Sequence, residues 1–154
     1  MNGLTRIQPD NLELTRRAMS TPVQRRIDRL GKFMLTQPQM ECVLKHEFTP
    51  GMYIRSLTMP KGALAVSKIH KTEHPYFILR GRVSVWIEGK GWITYCGGHR
   101  GITKPGTRRV LYVWEETEWV TVHVTDKTDV EEIERDVIFD PERDDASIEV
   151  KRNL

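Results

Sequence analysis

A mainly β fold, one barrel or sandwich with helices only at its two ends, is what this sequence predicts. Three observations predict it. Between Cys42 and Thr125 the chain breaks into short runs separated by turn residues, among them Pro50-Gly51, Pro60-Lys61-Gly62 and Pro105-Gly106. Helical periodicity is confined to the two ends of the chain. At 154 residues, 38% of them hydrophobic, there is enough apolar material for one core and not for two.

Each element has a local reason. Asp10 with Glu13 forms a capping-box pattern for a short first helix, and Thr21-Pro22 starts a second. Met19, Val23, Ile27, Leu30 and Met34 then recur at three- and four-residue steps, an apolar stripe that needs a surface to cover it. Arg16, Arg17, Arg25, Arg26 and Arg29 occupy the other faces, as on a solvated helix. Tyr53, Arg55, Leu57 and Met59 alternate with Ile54, Ser56 and Thr58 in a strand. Further strands are predicted over 63–70, 75–80 and 82–88, with Arg80-Gly81 as a tight turn between the last two. Glu88-Gly89-Lys90-Gly91 reads as a hairpin turn before Trp92–Tyr95. Gly97-Gly98-His99-Arg100-Gly101 reads as a loop at the barrel rim. The last strands, 108–114 and 118–125, are separated by Glu115-Glu116-Thr117. Thr128 with Glu131 then caps a helix whose Val130, Ile133 and Val137 share a face, and Asp140-Pro141 stops it. The predicted organisation is a helical arm over 1–40, a barrel over 41–126, and a helix with a charged tail over 127–154.

Composition narrows the function classes. The net charge of +3 falls short of a nucleic-acid signature, and the acidic residues concentrate after Asp126, leaving a basic body suited to an anionic ligand. No stretch reaches the ~20 apolar residues that span a bilayer. Met1–Asp10 has no apolar core, so the expected location is cytoplasmic. Cys42 and Cys96 lack metal-site or redox spacing and read as small buried or half-buried apolar residues in a reducing compartment. No nucleophile–base pair is evident, and the glycines at 97–101 lack the helix and lysine of a phosphate loop. Catalytic residues are therefore left unassigned.

The run His70-Lys71-Thr72-Glu73-His74-Pro75 carries the chemistry. Imidazole is the commonest side-chain metal ligand. On a straight strand these rings would stand ~13 Å apart at ~3.3 Å per residue, too far for one ion with bonds near ~2.0 Å. A fold-back at Lys71-Thr72-Glu73 removes the difficulty, and Pro75 favours an extended residue before it. Two imidazoles are too few for a tight site. His123 is the third candidate, on a strand face with Trp119 and Thr121, while Val120, Val122 and Val124 take the face that looks like packed core. Glu73 is a weaker option, and His46 and His99 read as surface or structural residues. A purely structural role for the histidines stays open.

Gly62 through Gly81 holds a glycine, an apolar strand, His70, a short turn, and then an aromatic-apolar-Leu-x-Gly ending. This resembles the first motif of cupins, and Pro105-Gly106 through Arg109 resembles the second. The match spans roughly residues 48–125. It implies a small jelly-roll barrel, so the full fold expectation is a single cupin-like jelly roll with an N-terminal helical arm and a short C-terminal helix. Metal-binding cupins usually offer two histidines one residue apart, a glutamate, and a last histidine in the second motif. Aligned on Gly81, Lys68 takes the first position, His70 the second, His74 the glutamate's and Arg109 the last. The usual metal site is therefore not carried over whole. Lys68 and Arg109, with Tyr76 and Trp119 as aromatic walls, suit a small anionic ligand instead. Trp86, Trp92 and Trp114 are further candidates for stacking on a base or sugar ring.

Pro38-Gln39, His46-Glu47-Phe48, Pro50-Gly51-Met52-Tyr53, His70 to His74 and Trp119 to His123 further resemble small cupin-like proteins of tailed phages and prophages. The expected function is binding of a divalent metal (Zn, Fe, Mn or Ni) or a small, anionic ligand in the barrel of a phage or prophage protein. Metal ligands would be His70, His74 and His123; ligand contacts would be Lys68, Tyr76, Arg109 and Trp119. A non-catalytic phage component is the alternative: an assembly factor, a virion part or a blocker of a host factor. A cupin-type isomerase or oxygenase is third. Self-association as a homodimer is expected from the 19–34 stripe, with no membrane partner.

Overall fold

The computed structural model describes Glu13, residues 15–17 and residues 21–145, with the backbone alone at 142 and 145. Asp10, Met19 and the end of the charged tail lie outside the described residues. Helix α1 (Pro22–Leu35) starts where the sequence places it. The Thr21 hydroxyl accepts the Gln24 N–H at 3.3 Å, and Pro22 supplies the first turn. Ile27 is buried, the Gln24 amide donates to the Glu88 carboxylate at 2.9 Å, and Arg108 pairs with Asp28. Part of the apolar stripe is thus covered by the protein's own barrel, while Arg25, Arg26 and Arg29 stay exposed.

Seven strands follow: β1 (Val43–Thr49), β2 (Met52–Met59), β3 (Leu64–Val66), β4 (His74–Ile87), β5 (Gly91–Cys96), β6 (His99–Thr103) and β7 (Arg109–Val124). Helix α2 (Val130–Val137) and a π turn (Pro141–Asp145) close the chain. All strand pairs are antiparallel, in the order β1-β2-β7-β4-β5, with β3 also on β7 and β6 also on β4. The long strands β4 and β7 each serve twice. Their halves nearer the histidines, 74–78 and 117–124, run among β2 and β6, and their other halves run among β3 and β5. The fold is mainly β, built from antiparallel strands with few short helices, as the sequence predicts. Met59, Ile78, Val83, Val85, Leu111, Val113 and Trp119 pack its core.

The sequence reading cut β4 at Arg80-Gly81 and β7 at Glu115-Glu116-Thr117. Both places are bends within continuous strands. The β4–β7 register slips between Ile78 and Val83, and Gly81 (φ +97°) sits so close to β7 that a Cβ would come within 2.3 Å of the Glu116 carbonyl and 2.7 Å of Thr117 Cα. A glycine that permits close approach of two strands and one that permits a turn look alike in sequence. For the same reason 97–101 is no rim loop. Gly97-Gly98 is the turn between β5 and β6, and Gly101 lies in β6 against the Tyr76 ring, where a Cβ would come within 2.6 Å.

Three smaller expectations are corrected. Cys42 and Cys96 are both free and exposed, since Cys42 precedes the edge strand β1 and Cys96 ends β5 beside a turn. The cap of α2 is Asp129 rather than Thr128. Its carboxylate accepts the Glu131 and Glu132 N–H groups at 2.9 and 3.3 Å, and a charged acceptor at a helix N-terminus outcompetes a hydroxyl one residue earlier. The helix ends at Val137, before Asp140-Pro141, because Ile138 turns extended and bridges to His70. No described helix is long and apolar enough to cross a membrane.

Candidate functional site: a histidine pocket under a helical lid

Three elements bring the histidines together. Residues 71–73 bend back, as the spacing requires, so that His74 opens β4 while His70 stays behind at the end of the preceding segment. His70 is held there by its bridge to Ile138 and by the Gly106 N–H, which donates to its carbonyl at 2.8 Å. His123 arrives on β7, paired with Tyr53 of β2. The ring centroids of His70 and His74 are 4.5 Å apart, and those of His74 and His123 are 4.4 Å apart.

The rings line a cavity of about 230 Å³. Its floor is polar: Tyr53, Arg55, Thr103, Arg109 and Thr121. Its walls are apolar, and α2 roofs it with Ile133, which is only 1% exposed, and with Val137. The roof is fixed from below. The Lys71 and Phe139 N–H groups donate to the Val137 and Ile69 carbonyls, both at 2.8 Å. The buried Lys71 ammonium donates to the Arg135 carbonyl at 2.6 Å and pairs with Asp144 at 3.2 Å.

Electrostatics keep the trio neutral. Burial holds His74 at about 4 and His123 at about 3, against an ordinary 6.5; the neighbouring His74 and the Arg55 guanidinium lower His123 further. His70 is pushed well below the ordinary value, first by burial, then by His74, His123, Arg109 and Arg55. His74 Nδ1 lies 3.2 Å from the Thr72 carbonyl, which can only accept, so the proton sits on Nδ1 and Nε2 is bare. His123 Nε2 meets the Thr121 hydroxyl at 3.1 Å. Left over are His70 Nδ1, His74 Nε2 and His123 Nδ1, all buried without a hydrogen-bond partner. An unsatisfied buried polar atom costs about 1–3 kcal/mol. The two other such side-chain atoms among the described residues, Gln24 Oε1 and Arg108 Nε, lie at the α1 contact instead.

This donor set fits a divalent metal in chemistry. The rings are neutral, and the hydrogen bonds of His74 and His123 leave the opposite nitrogen to face a ligand, the pattern by which proteins orient metal-bound histidines. The geometry stands open. Among the described residues no three His, Cys, Asp or Glu side chains are placed so that they could hold a metal ion as they stand. The ring torsion of histidine has a broad minimum, so the rings can turn relative to one another.

Arg109 is the other unusual group. It is 5% exposed, its Nη2 donates to the Thr103 hydroxyl at 3.1 Å, and its guanidinium lies 4.7 Å from the Tyr76 ring centroid and 5.7 Å from that of Trp119. Burial lowers its pKa; the groups acting in the opposite direction are the phenols of Tyr76 and Tyr95, and no carboxylate is among them.

Of the residues expected from sequence, the structure brings His70, His74, His123, Arg109 and Trp119 to one cavity. Tyr76 stands behind it, stacked on Trp119 at 4.8 Å and bonded to His99 at 3.0 Å. Lys68 reaches only the rim, where it is exposed and pairs with Glu134 of α2 at 3.4 Å. The strand expected over 63–70 covers only Leu64–Val66, so Lys68 and His70 lie beyond it. Trp92 and Trp114 are exposed, and Trp86 opposes Trp92 across β4 and β5, on the face opposite the core residues Val83 and Val85. Val120, Val122 and Val124 face away from the pocket, and Val124 is exposed; the enclosed side is that of Trp119, Thr121 and His123. Glu73 is exposed and paired with Lys104. His46 is half-buried and bonded to Tyr53. Sequence reasoning missed Arg55, Thr103 and the roof. Arg55 had a signal: it shares its strand face with Tyr53, Leu57 and Met59.

No protein-family model and no curated protein sequence matches the chain. Several solved structures are similar to it. The cupin_2 domain of an XRE family transcriptional regulator from Enterobacter cloacae is 16% identical over 57% of this chain and 100% of that one, with a TM-score of 0.47. An RmlC-like cupin family protein from Methanocaldococcus jannaschii is 14% identical over 58% and 85%, also at 0.47. A cupin superfamily protein from Desulfitobacterium hafniense is 9% identical over 58% and 83%, again at 0.47. These are likenesses of fold, and the reading of this chain's pocket rests on its own residues.

Proposed function

We propose that this protein binds a divalent transition metal in its barrel through His70, His74 and His123. The observation that carries the proposal is the group of three buried imidazole nitrogens without partners on one cavity wall. Three neutral imidazoles suit Zn, Fe or Ni better than Mg or Ca. A metal on three protein ligands keeps a coordination position open, where it can act as a Lewis acid on a small molecule. Arg109 and Arg55 would then supply positive charge beside that position, and Ile133 with α2 would keep bulk water out. A phage or prophage setting and a cytoplasmic location belong to the same proposal and rest on the sequence resemblance and composition.

The test is metal analysis and Co(II) titration of protein purified without an affinity tag. One equivalent of metal is expected, with a cobalt visible spectrum that is lost in a His70→Ala/His74→Ala/His123→Ala variant. No metal uptake by the native chain, or uptake unchanged in the variant, contradicts the proposal.

A further inference from the structure

We infer that Arg109 is the anchor of a subsite for a small organic monocarboxylate, held with its apolar part under the α2 roof. The inference goes beyond the metal reading and stands without it. Arg109 is only 5% exposed, yet its neighbours are neutral: the Thr103 hydroxyl accepts from its Nη2 at 3.1 Å, the Tyr76 phenol is a further hydrogen-bonding neighbour, and the Tyr76 and Trp119 ring faces lie 4.7 and 5.7 Å from the guanidinium. A guanidinium carries five N–H donors and keeps its charge in a protein. Buried charges are ordinarily paired. Here no carboxylate among the described residues acts on it. Glu134, an acid that lines the cavity, pairs with Lys68 at 3.4 Å. The pocket therefore carries an excess of positive charge, and a carboxylate beside Arg109 complements it.

Shape and lining specify the rest. A planar guanidinium matches a carboxylate bidentately. Cavities of about 150 Å³ hold benzene, so about 230 Å³ holds roughly ten non-hydrogen atoms. Met59, Leu111, Trp119, Ile133 and Val137 line the remainder. This suits a hydrocarbon body. Arg55, half-buried and also lining the cavity, acts on His123 and Tyr53 and reinforces the attraction for anions entering the cavity.

Benzoate, its neutral isostere benzamide, and inorganic phosphate are the probes, titrated calorimetrically into the full chain both after chelator treatment and after zinc loading. Benzoate is expected to bind saturably and at least tenfold more tightly than benzamide, with phosphate weaker than benzoate. Arg109→Met is expected to remove the preference while leaving the fold intact, because methionine replaces a buried charge without a partner; its melting temperature in ligand-free buffer is expected to equal or exceed that of the native chain. Arg109→Lys keeps the charge and loses the fork, and about tenfold weaker benzoate binding is expected. A preference for benzoate that persists in chelator-treated protein supports the subsite whatever the outcome for the metal. Equal affinity for benzoate and benzamide, tighter phosphate than benzoate, no benzoate binding in either form, or an unchanged preference in the Arg109 variants overturns it.

Discussion

His74 and His123 tie the site to stability. In metal-free protein both folded-state values lie below 6.5, at about 4 and about 3, with burial as the main cause. Both rings are neutral in the folded and unfolded chain above pH 6.5, so they add no pH dependence there. As pH falls below that point the unfolded chain takes up protons the folded chain refuses, and stability falls by up to about 1.4 kcal/mol per pH unit for each ring. The loss ends near pH 4 for His74 and pH 3 for His123. Urea midpoints measured from pH 7 to pH 4.5 should therefore drop steeply, and a His74→Gln/His123→Gln variant should show a shallower slope. Equal slopes would mean the rings accept protons inside the fold. At this scale much was legible in the sequence. The four-residue spacing of His70 and His74 demanded a fold-back, and strand parity put His123 with Trp119. The missing partners of their nitrogens and the isolation of Arg109 were not legible, because both depend on what surrounds a side chain in space.

Among the elements, the bend of β4 over β7 and the roof over the pocket matter most. Gly81 combines φ +97° with contact to the Glu116–Thr117 backbone. Gly81→Ala should therefore cost about 2 kcal/mol or more, measured by chemical denaturation, whereas alanine at Gly31 of α1, where a Cβ meets nothing within 4 Å, should be neutral or stabilising. Exposed pairs such as Lys68–Glu134 contribute little to holding α2. Ile133 and the buried Lys71–Asp144 pair hold it. Asp144→Ala leaves the Lys71 ammonium buried without its counter-charge, and a loss of about 3–5 kcal/mol is expected; Lys71→Met removes the charge as well and should cost less. If the order of these two variants is reversed in denaturation, the roof is held otherwise. The helices were readable because caps and apolar spacing are local. The continuity of β4 and β7 was not, since glycine and clustered acids mark bends and turns alike, and the bend is enforced by residues over 30 positions away.

For the molecule as a whole, the edge strand β1 matters most. β1 stands at the end of the strand order and exposes Val43, Leu44 and Phe48. Such an edge favours pairing, and it offers the expected homodimer a firmer basis than the α1 stripe, part of which rests on the barrel. Sedimentation equilibrium should show a dimer that Leu44→Lys/Phe48→Lys separates into monomers; a native monomer would remove the expectation. Binding in the pocket also acts on the whole molecule. A ligand that binds only the folded chain, present at a hundred times its Kd, adds about 2.7 kcal/mol of stability. Zinc should therefore raise the melting temperature of the native protein and leave that of the triple histidine variant unchanged.

The most direct measurement is anomalous diffraction from crystals grown with zinc, recorded on both sides of the zinc absorption edge. The account predicts one peak about 2.0–2.1 Å from nitrogens of His70, His74 and His123. A cavity without a peak, or zinc bound only at surface residues such as Cys42 or Cys96, would contradict it.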